Sequence, residues 1–308
     1  MRRGHGDRDV REAPRARAGL GVVARGVVRR PAGLHDRGGR ARGHRRRTLV
    51  ADRDEGSLMI LAHDDIGGQD APAVILVHSL GCDRRMWEAQ VAALSPSFRV
   101  VAVDIRGHGR SEVPHGDYTL EQLGRDVVDV ADALSLDAFH YCGLSIGGLI
   151  GQWLGLNASA RLRSLTLCNT GAKISEIERW NERIEVARTQ GMPALVDAVI
   201  ERWFTPEFIS SSPDDIARAR DWLLETDAGG YAGCCAAIRG ADLRGDVRAV
   251  TTRTLVIGGT GDVATPPEQS EFLHEQIAAS ELKMLDAGHL SNIEREAEFT
   301  EALLGFLT

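Results

Sequence analysis

A serine set between two glycines, Gly143-Leu144-Ser145-Ile146-Gly147, constrains this chain more than any other feature, because its flanks dictate a sharp passage from strand to helix. Residues 137–144 are short and largely apolar, as a buried strand is, and residues 146–154 are apolar enough for a buried helix. A turn this sharp holds its serine in strained backbone. Neighbours without a β-carbon are what allow strand and helix to pack closely around it. The five-residue pattern alone fits a small-residue turn equally well, so its weight comes from residues more than a hundred positions further along the chain.

Two groups there fall in the order that a serine nucleophile would need. Thr254-Leu-Val-Ile-Gly258 is a β-branched apolar strand that runs into Gly259-Thr-Gly-Asp262, and a helical stretch opens after Pro266-Pro267. Leu282-Lys-Met-Leu285 is a second short strand, followed by Asp286-Ala-Gly-His289 and a helix over 293–307. Ser145, Asp262 and His289 thus all lie just past the C-terminal ends of expected strands, where open α/β sheets carry their ligands. Singly, Asp262 reads as a turn aspartate and His289 is evenly divided between surface and function. Together they fit nucleophile, orienting acid and general base. Upstream, the apolar strand 73–77 leads into His78-Ser79-Leu80-Gly81, which places the backbone amide of Leu80 opposite that of Ile146 as an oxyanion-binding pair. His78 reads as a structural ring that fixes its loop. The glycine-rich loop 104–111 lacks dinucleotide or P-loop spacing and reads as a tight turn.

Residues 59–308 suffice for one α/β domain with an insertion. Strands at 99–104 and 162–168 and an amphipathic helix over 118–134 complete a mostly parallel central sheet with helices on both faces. Strands cease between about 174 and 242, where a helical cap is expected, with Trp180, Trp203, Phe204, Trp222 and Tyr231 spread through it as an apolar roof. No run approaches the ~20 apolar residues of a membrane span. Cys82, Cys142, Cys168, Cys234 and Cys235 are odd in number and lack metal-ligand spacing, which reads as reduced core cysteines in a cytoplasmic protein.

Residues 1–58 differ in kind. The first fifty hold fifteen arginines against four acidic residues, +11 in a chain of −7, so the remainder carries −18. Three readings stay open: a disordered basic arm for nucleic acid or an anionic membrane, an organelle transit peptide, and an upstream extension with the true start at Met59. The last fits best, because a strand pattern begins at Met59.

Several segments together resemble a known family. Ser79-Leu-Gly-Cys-Asp-Arg-Arg-Met-Trp87, the loop 104–111, Cys142-Gly-Leu-Ser-Ile-Gly-Gly148, Leu167-Cys-Asn-Thr-Gly-Ala-Lys173, Arg202-Trp-Phe-Thr-Pro206 and Ala287-Gly-His-Leu-Ser-Asn292 are similar to the 3-oxoadipate enol-lactonases of the α/β-hydrolase superfamily. The resemblance runs from about residue 59 to 308. It implies the α/β-hydrolase fold and opening of 3-oxoadipate enol-lactone to 3-oxoadipate in protocatechuate and catechol catabolism, with no metal or cofactor, and with neither nucleic acid nor membrane as partner. The substrate is a small anionic lactone, so a cation must meet its carboxylate. Candidates are Arg84, Arg85, Lys173, Arg202 and Arg239, with Lys173 the most informative because the chain has almost abandoned lysine for arginine; Trp87, Trp180 and Trp203 complete the expected substrate contacts. An esterase, perhydrolase or carbon–carbon bond hydrolase could use the same three residues, and a non-catalytic ligand receptor is a further alternative.

Overall fold

A computed structural model describes residues 59–308. The readings made for residues 1–58 lie outside the described residues. Seven strands form one sheet in the order β1-β3-β2-β4-β5-β6-β7: β1 His63–Ile66, β2 Ala73–Val77, β3 Arg99–Val103, β4 Phe139–Leu144, β5 Leu162–Cys168, β6 Thr254–Gly259 and β7 Ser280–Leu285. Only β1 runs antiparallel, pairing His63 with Val103; every other neighbouring pair is parallel. The central strands are apolar throughout because both their faces are covered, and β2 and β3 are buried at every residue. The edge strands β1 and β7 alternate between partly buried and exposed positions.

Helices fill the crossovers: α1 Glu88–Leu94, α2 Leu120–Ala133, α3 Ile146–Asn157, α9 Pro267–Gln276, α10 Ser291–Glu294 and α11 Glu296–Leu307. The start of α2 is set by a capping box, in which Thr119 Oγ1 accepts from Gln122 N at 3.2 Å and Thr119 N donates to Gln122 Oε1 at 2.9 Å. The closing helix expected over 293–307 is two helices, broken at Arg295, whose φ of −127° and ψ of 52° are not helical. Between β5 and β6 the chain makes α4 Ile177–Gln190, α5 Val196–Trp203, α6 Pro206–Ser211, α7 Pro213–Glu225 and α8 Ala228–Gly240, with no strand. Their apolar faces join the main core: Trp180, Trp203, Phe204, Trp222 and Tyr231 are all buried. Among the described residues, no helix is long and apolar enough to cross a membrane. All five cysteines are free and buried.

Candidate active site

The turn from β4 into α3 carries Ser145 at φ 60° and ψ −112°, a region that a residue with a side chain rarely adopts. Packing explains how this strain is held. A β-carbon on Gly143 would lie 2.2 Å from the Gly147 carbonyl oxygen, and one on Gly147 would lie 2.4 Å from that of Val77, so neither position admits alanine without movement. The Ser145 backbone is tied at both ends: its N–H donates to the Cys168 carbonyl at 2.9 Å, and its carbonyl accepts from Thr170 Oγ1 at 2.7 Å.

His289 and Asp262 meet. His289 Nδ1 donates to Asp262 Oδ2 at 2.9 Å, so Nε2 is the ring nitrogen left to face the cavity. Asp262 is further held by donors that sequence reasoning did not pick out. The N–H groups of Ala264 and Thr265 donate to Oδ1 at 2.8 and 2.9 Å, while Thr265 Oγ1 and Asn169 Nδ2 donate to Oδ2 at 2.8 and 3.1 Å. Burial alone would raise the pKa of this carboxyl; the charge of His289 and the hydrogen bonds from His289 and Thr265 outweigh it and hold Asp262 below the usual carboxylate range. Asn169, at φ 44°, also donates to the Gly288 carbonyl at 3.1 Å and accepts from Ser291 Oγ, so it bridges the loops of Asp262 and His289. In the sequence it stands directly after β5, within the segment 167–173 that carries part of the family resemblance.

Ser145 and His289 line one cavity, together with Ser79, Leu80, Trp180, Trp203, Tyr231 and three arginines, Arg179, Arg183 and Arg202. Ile146, the other expected oxyanion amide, is the first residue of α3, and its N–H belongs to the first turn, which has no intrahelical acceptor. The loop bearing Leu80 is fixed by two buried imidazoles. His78 Nδ1 donates to the Ser79 carbonyl at 2.7 Å and its Nε2 accepts from Ile105 N at 3.0 Å, while His108 Nε2 accepts from Gly81 N at 3.0 Å. These bonds require neutral rings, and burial pushes the His78 pKa down and that of His108 to about 3. The loop 104–111 is, as its sequence indicates, a structural turn: Asp104 accepts from the N–H groups of Arg84 and Arg110 at 2.8 Å each.

Several expected substrate contacts are placed elsewhere. Trp87 is wholly buried and packs on Phe299 at 6.0 Å between ring centroids, because a large apolar ring beside the sheet is taken up by the core. Lys173 lies 3.7 Å from Glu176 and lines an adjoining cavity rather than that of Ser145. Arg239, in the last turn of α8, reaches outward to Asn181 and Asp117 at 2.8 and 2.9 Å. Arg84 is paired with Asp64 and Asp104, and Arg85 with Asp83 and Glu225, in a separate cavity. Of the cations singled out in the sequence, Arg202 alone lines the Ser145 cavity, and Arg179 and Arg183 accompany it. Burial, then the charges of Arg183 and Arg179, lower the Arg202 pKa. Among the described residues, no three His, Cys, Asp or Glu side chains are placed to hold a metal ion.

The model of the Alpha/beta hydrolase family matches residues 74–302. The chain is 39% identical over 241 residues to 3-oxoadipate enol-lactonase 1 of Acinetobacter baylyi, covering 78% of this chain and 90% of that one, and 38% identical over 243 residues to enol-lactonase 2 of the same organism, covering 79% and 91%. The chain belongs to the enol-lactonase family of α/β hydrolases. The crystal structure of the enol-lactonase from Burkholderia xenovorans LB400 superposes with a TM-score of 0.79 at 45% identity, covering 80% of this chain and 96% of that one. Family membership accounts for the sheet order and for the placing of Ser145 between β4 and α3.

Proposed function

We propose that the protein is a serine hydrolase that opens 3-oxoadipate enol-lactone to 3-oxoadipate in the breakdown of protocatechuate and catechol, as a cytoplasmic enzyme. The observation that carries this reading is one cavity holding Ser145, His289 and three arginines. Nε2 of His289 takes the Ser145 proton as Oγ attacks the lactone carbonyl, and Asp262 holds the ring in the required tautomer and stabilises its charged form. The amides of Leu80 and Ile146 receive the oxyanion. Collapse breaks the ring C–O bond and expels an enol, which takes the proton from His289; an enol leaves more readily than a simple alkoxide, and its passage to the ketone makes opening effectively one-way. Water, deprotonated by the same nitrogen, attacks the acyl carbon and frees Ser145. Helices α4–α8 act as the cap that excludes bulk water.

Loss of ultraviolet absorbance on ring opening, measured with purified protein beside hydrolysis of an uncharged aryl ester, tests the assignment. The lactone is expected to be preferred, and the preference to fall when Arg183 or Arg202 is changed to Gln. A protein that hydrolyses the neutral ester as well as the lactone is a general esterase.

A further inference from the structure

The arginines supply more charge than a substrate with one carboxylate can use. Arg179 and Arg183 stand one turn apart on α4, and Arg202 faces them from α5. Among the described residues, no carboxylate lies within ion-pairing distance of any of the three. The other large cations near the strand ends, Arg84, Arg85, Lys173 and Arg239, all have acidic partners. Arg183 and Arg202 are half-buried and Arg179 is exposed, and Arg202 feels the like charges of Arg183 and Arg179 more than the opposite charge of Asp262, so the cavity is poised for an anion.

A second observation points to a ligand with oxygens at more than one place. The hydroxyl of Ser79 lines the same cavity, is buried, and has no hydrogen-bond partner among the described residues, and the buried hydroxyl of Tyr231 lines it beside Arg183. Burial raises the Tyr231 pKa, and the charge of Arg183 and its hydrogen-bonding approach to the hydroxyl oppose that rise. An unpaired buried hydroxyl such as that of Ser79 costs free energy until a ligand oxygen fills the place. Ser79 adjoins the expected oxyanion donor Leu80, whereas Tyr231 belongs with the arginine side.

We infer that the cavity is built to hold a dianion, an aliphatic dicarboxylate with one end near Ser145 and Ser79 and the other on the arginines, more tightly than the monoanion it hydrolyses. This rests on the lactonase reading in one respect: hydrolysis consumes one water, breaks the ester bond, and yields a second carboxylate and a proton. The product therefore bears one more negative charge than the substrate. It forms within reach of the same three arginines, so the enzyme is held by its own product and senses dicarboxylate concentration.

Adipate and hexanoate, equal in chain length and different by one charge, are the probes. Each is titrated against the full-length protein, as thermal stabilisation and as competitive inhibition of neutral-ester hydrolysis. Adipate is expected to bind at least about tenfold more tightly, the size of one charge-assisted hydrogen bond. The gap should shrink in Arg183→Gln and in Arg202→Gln, and also with rising salt. Equal binding of the two acids to the unaltered protein, or an adipate preference that survives both arginine changes, overturns the inference. Thermal stabilisation needs no turnover, so a protein that prefers adipate without opening the enol-lactone keeps the inference and loses the substrate assignment. One that opens the lactone and binds both acids alike does the reverse.

Discussion

Ser145 is costly to the fold and of use only to chemistry. A non-glycine residue at φ 60° and ψ −112° costs on the order of 1–3 kcal/mol, and the close approach of Gly143 and Gly147 to neighbouring carbonyls is what over-determines it. Ser145→Ala keeps the β-carbon and with it the strain, so the unfolding temperature is expected to stay nearly unchanged while kcat falls by roughly 10⁴ or more. A variant retaining more than about a hundredth of the rate would move the nucleophile elsewhere. Asn169 offers a subtler test at the same scale. It touches Asp262, Gly288 and Ser291 without lining the cavity, so Asn169→Ala should lower kcat by about tenfold, the worth of one or two hydrogen bonds, and leave KM nearly unchanged. An equal change in KM would give it a part in binding. The contrast between these residues marks how far sequence reading reaches. Ser145, Asp262 and His289 are legible because each follows an apolar strand by a fixed short interval. Asn169 acts through partners far off in the chain, Thr265 is one hydroxyl in the turn that follows Asp262, and Arg179 and Arg183 look like ordinary helix-surface charges until α5 and α8 are packed against them. Lys173 lines the adjoining cavity for the same reason: a strand-end position fixes where a residue starts and not which cavity its side chain enters.

At the scale of elements, the sheet was legible almost strand by strand, since buried parallel strands leave continuous apolar runs. The helices between β5 and β6 were legible only as a block, because their packing partners are one another. One joint between that block and the sheet was invisible in sequence. Glu294, at the end of α10, is nearly buried and accepts from Gly288 N at 2.9 Å, Thr205 N at 3.3 Å and Thr205 Oγ1. Leu290 N donates to the Trp203 carbonyl at 3.0 Å beside it. The loop carrying His289 is thus pinned to the segment between α5 and α6, next to Arg202. Glu294→Ala removes the oxygen that accepts from both Gly288 N and Thr205 N, leaves those two N–H groups without a partner, and should lower stability by roughly 1.5–3 kcal/mol in denaturant titrations. If the joint also positions the base, kcat on a neutral ester falls with it; a loss of stability with kcat intact confines Glu294 to holding the fold.

For the molecule as a whole, residues 51–308 carry −18, and two buried imidazoles tie stability to acidity in a way this net charge does not describe. His78 and His108 lie 5.4 Å apart between ring centroids, beneath the loop of Leu80, and each accepts a backbone N–H on Nε2, which a protonated ring cannot do. Burial, then the neighbouring His78, hold His108 at about 3 in the folded chain against 6.5 for a free side chain. Between those two values the unfolded chain binds a proton that the folded chain does not. Stability is therefore fully present above about pH 6.5 and is lost as pH falls towards 3, at about 1.4 kcal/mol per pH unit for each such ring. His78, also shifted downward, adds to the same slope. Asp262, depressed below 3.8, keeps its contribution through most of this range and gives it up only at the acid end. The urea midpoint should accordingly decline steadily from pH 6.5 to 4, and His108→Gln, less stable at neutral pH, should show a shallower decline. A midpoint that stays level from pH 7 to 4 would require both rings to carry charge in the folded protein, against the two N–H groups that point at them.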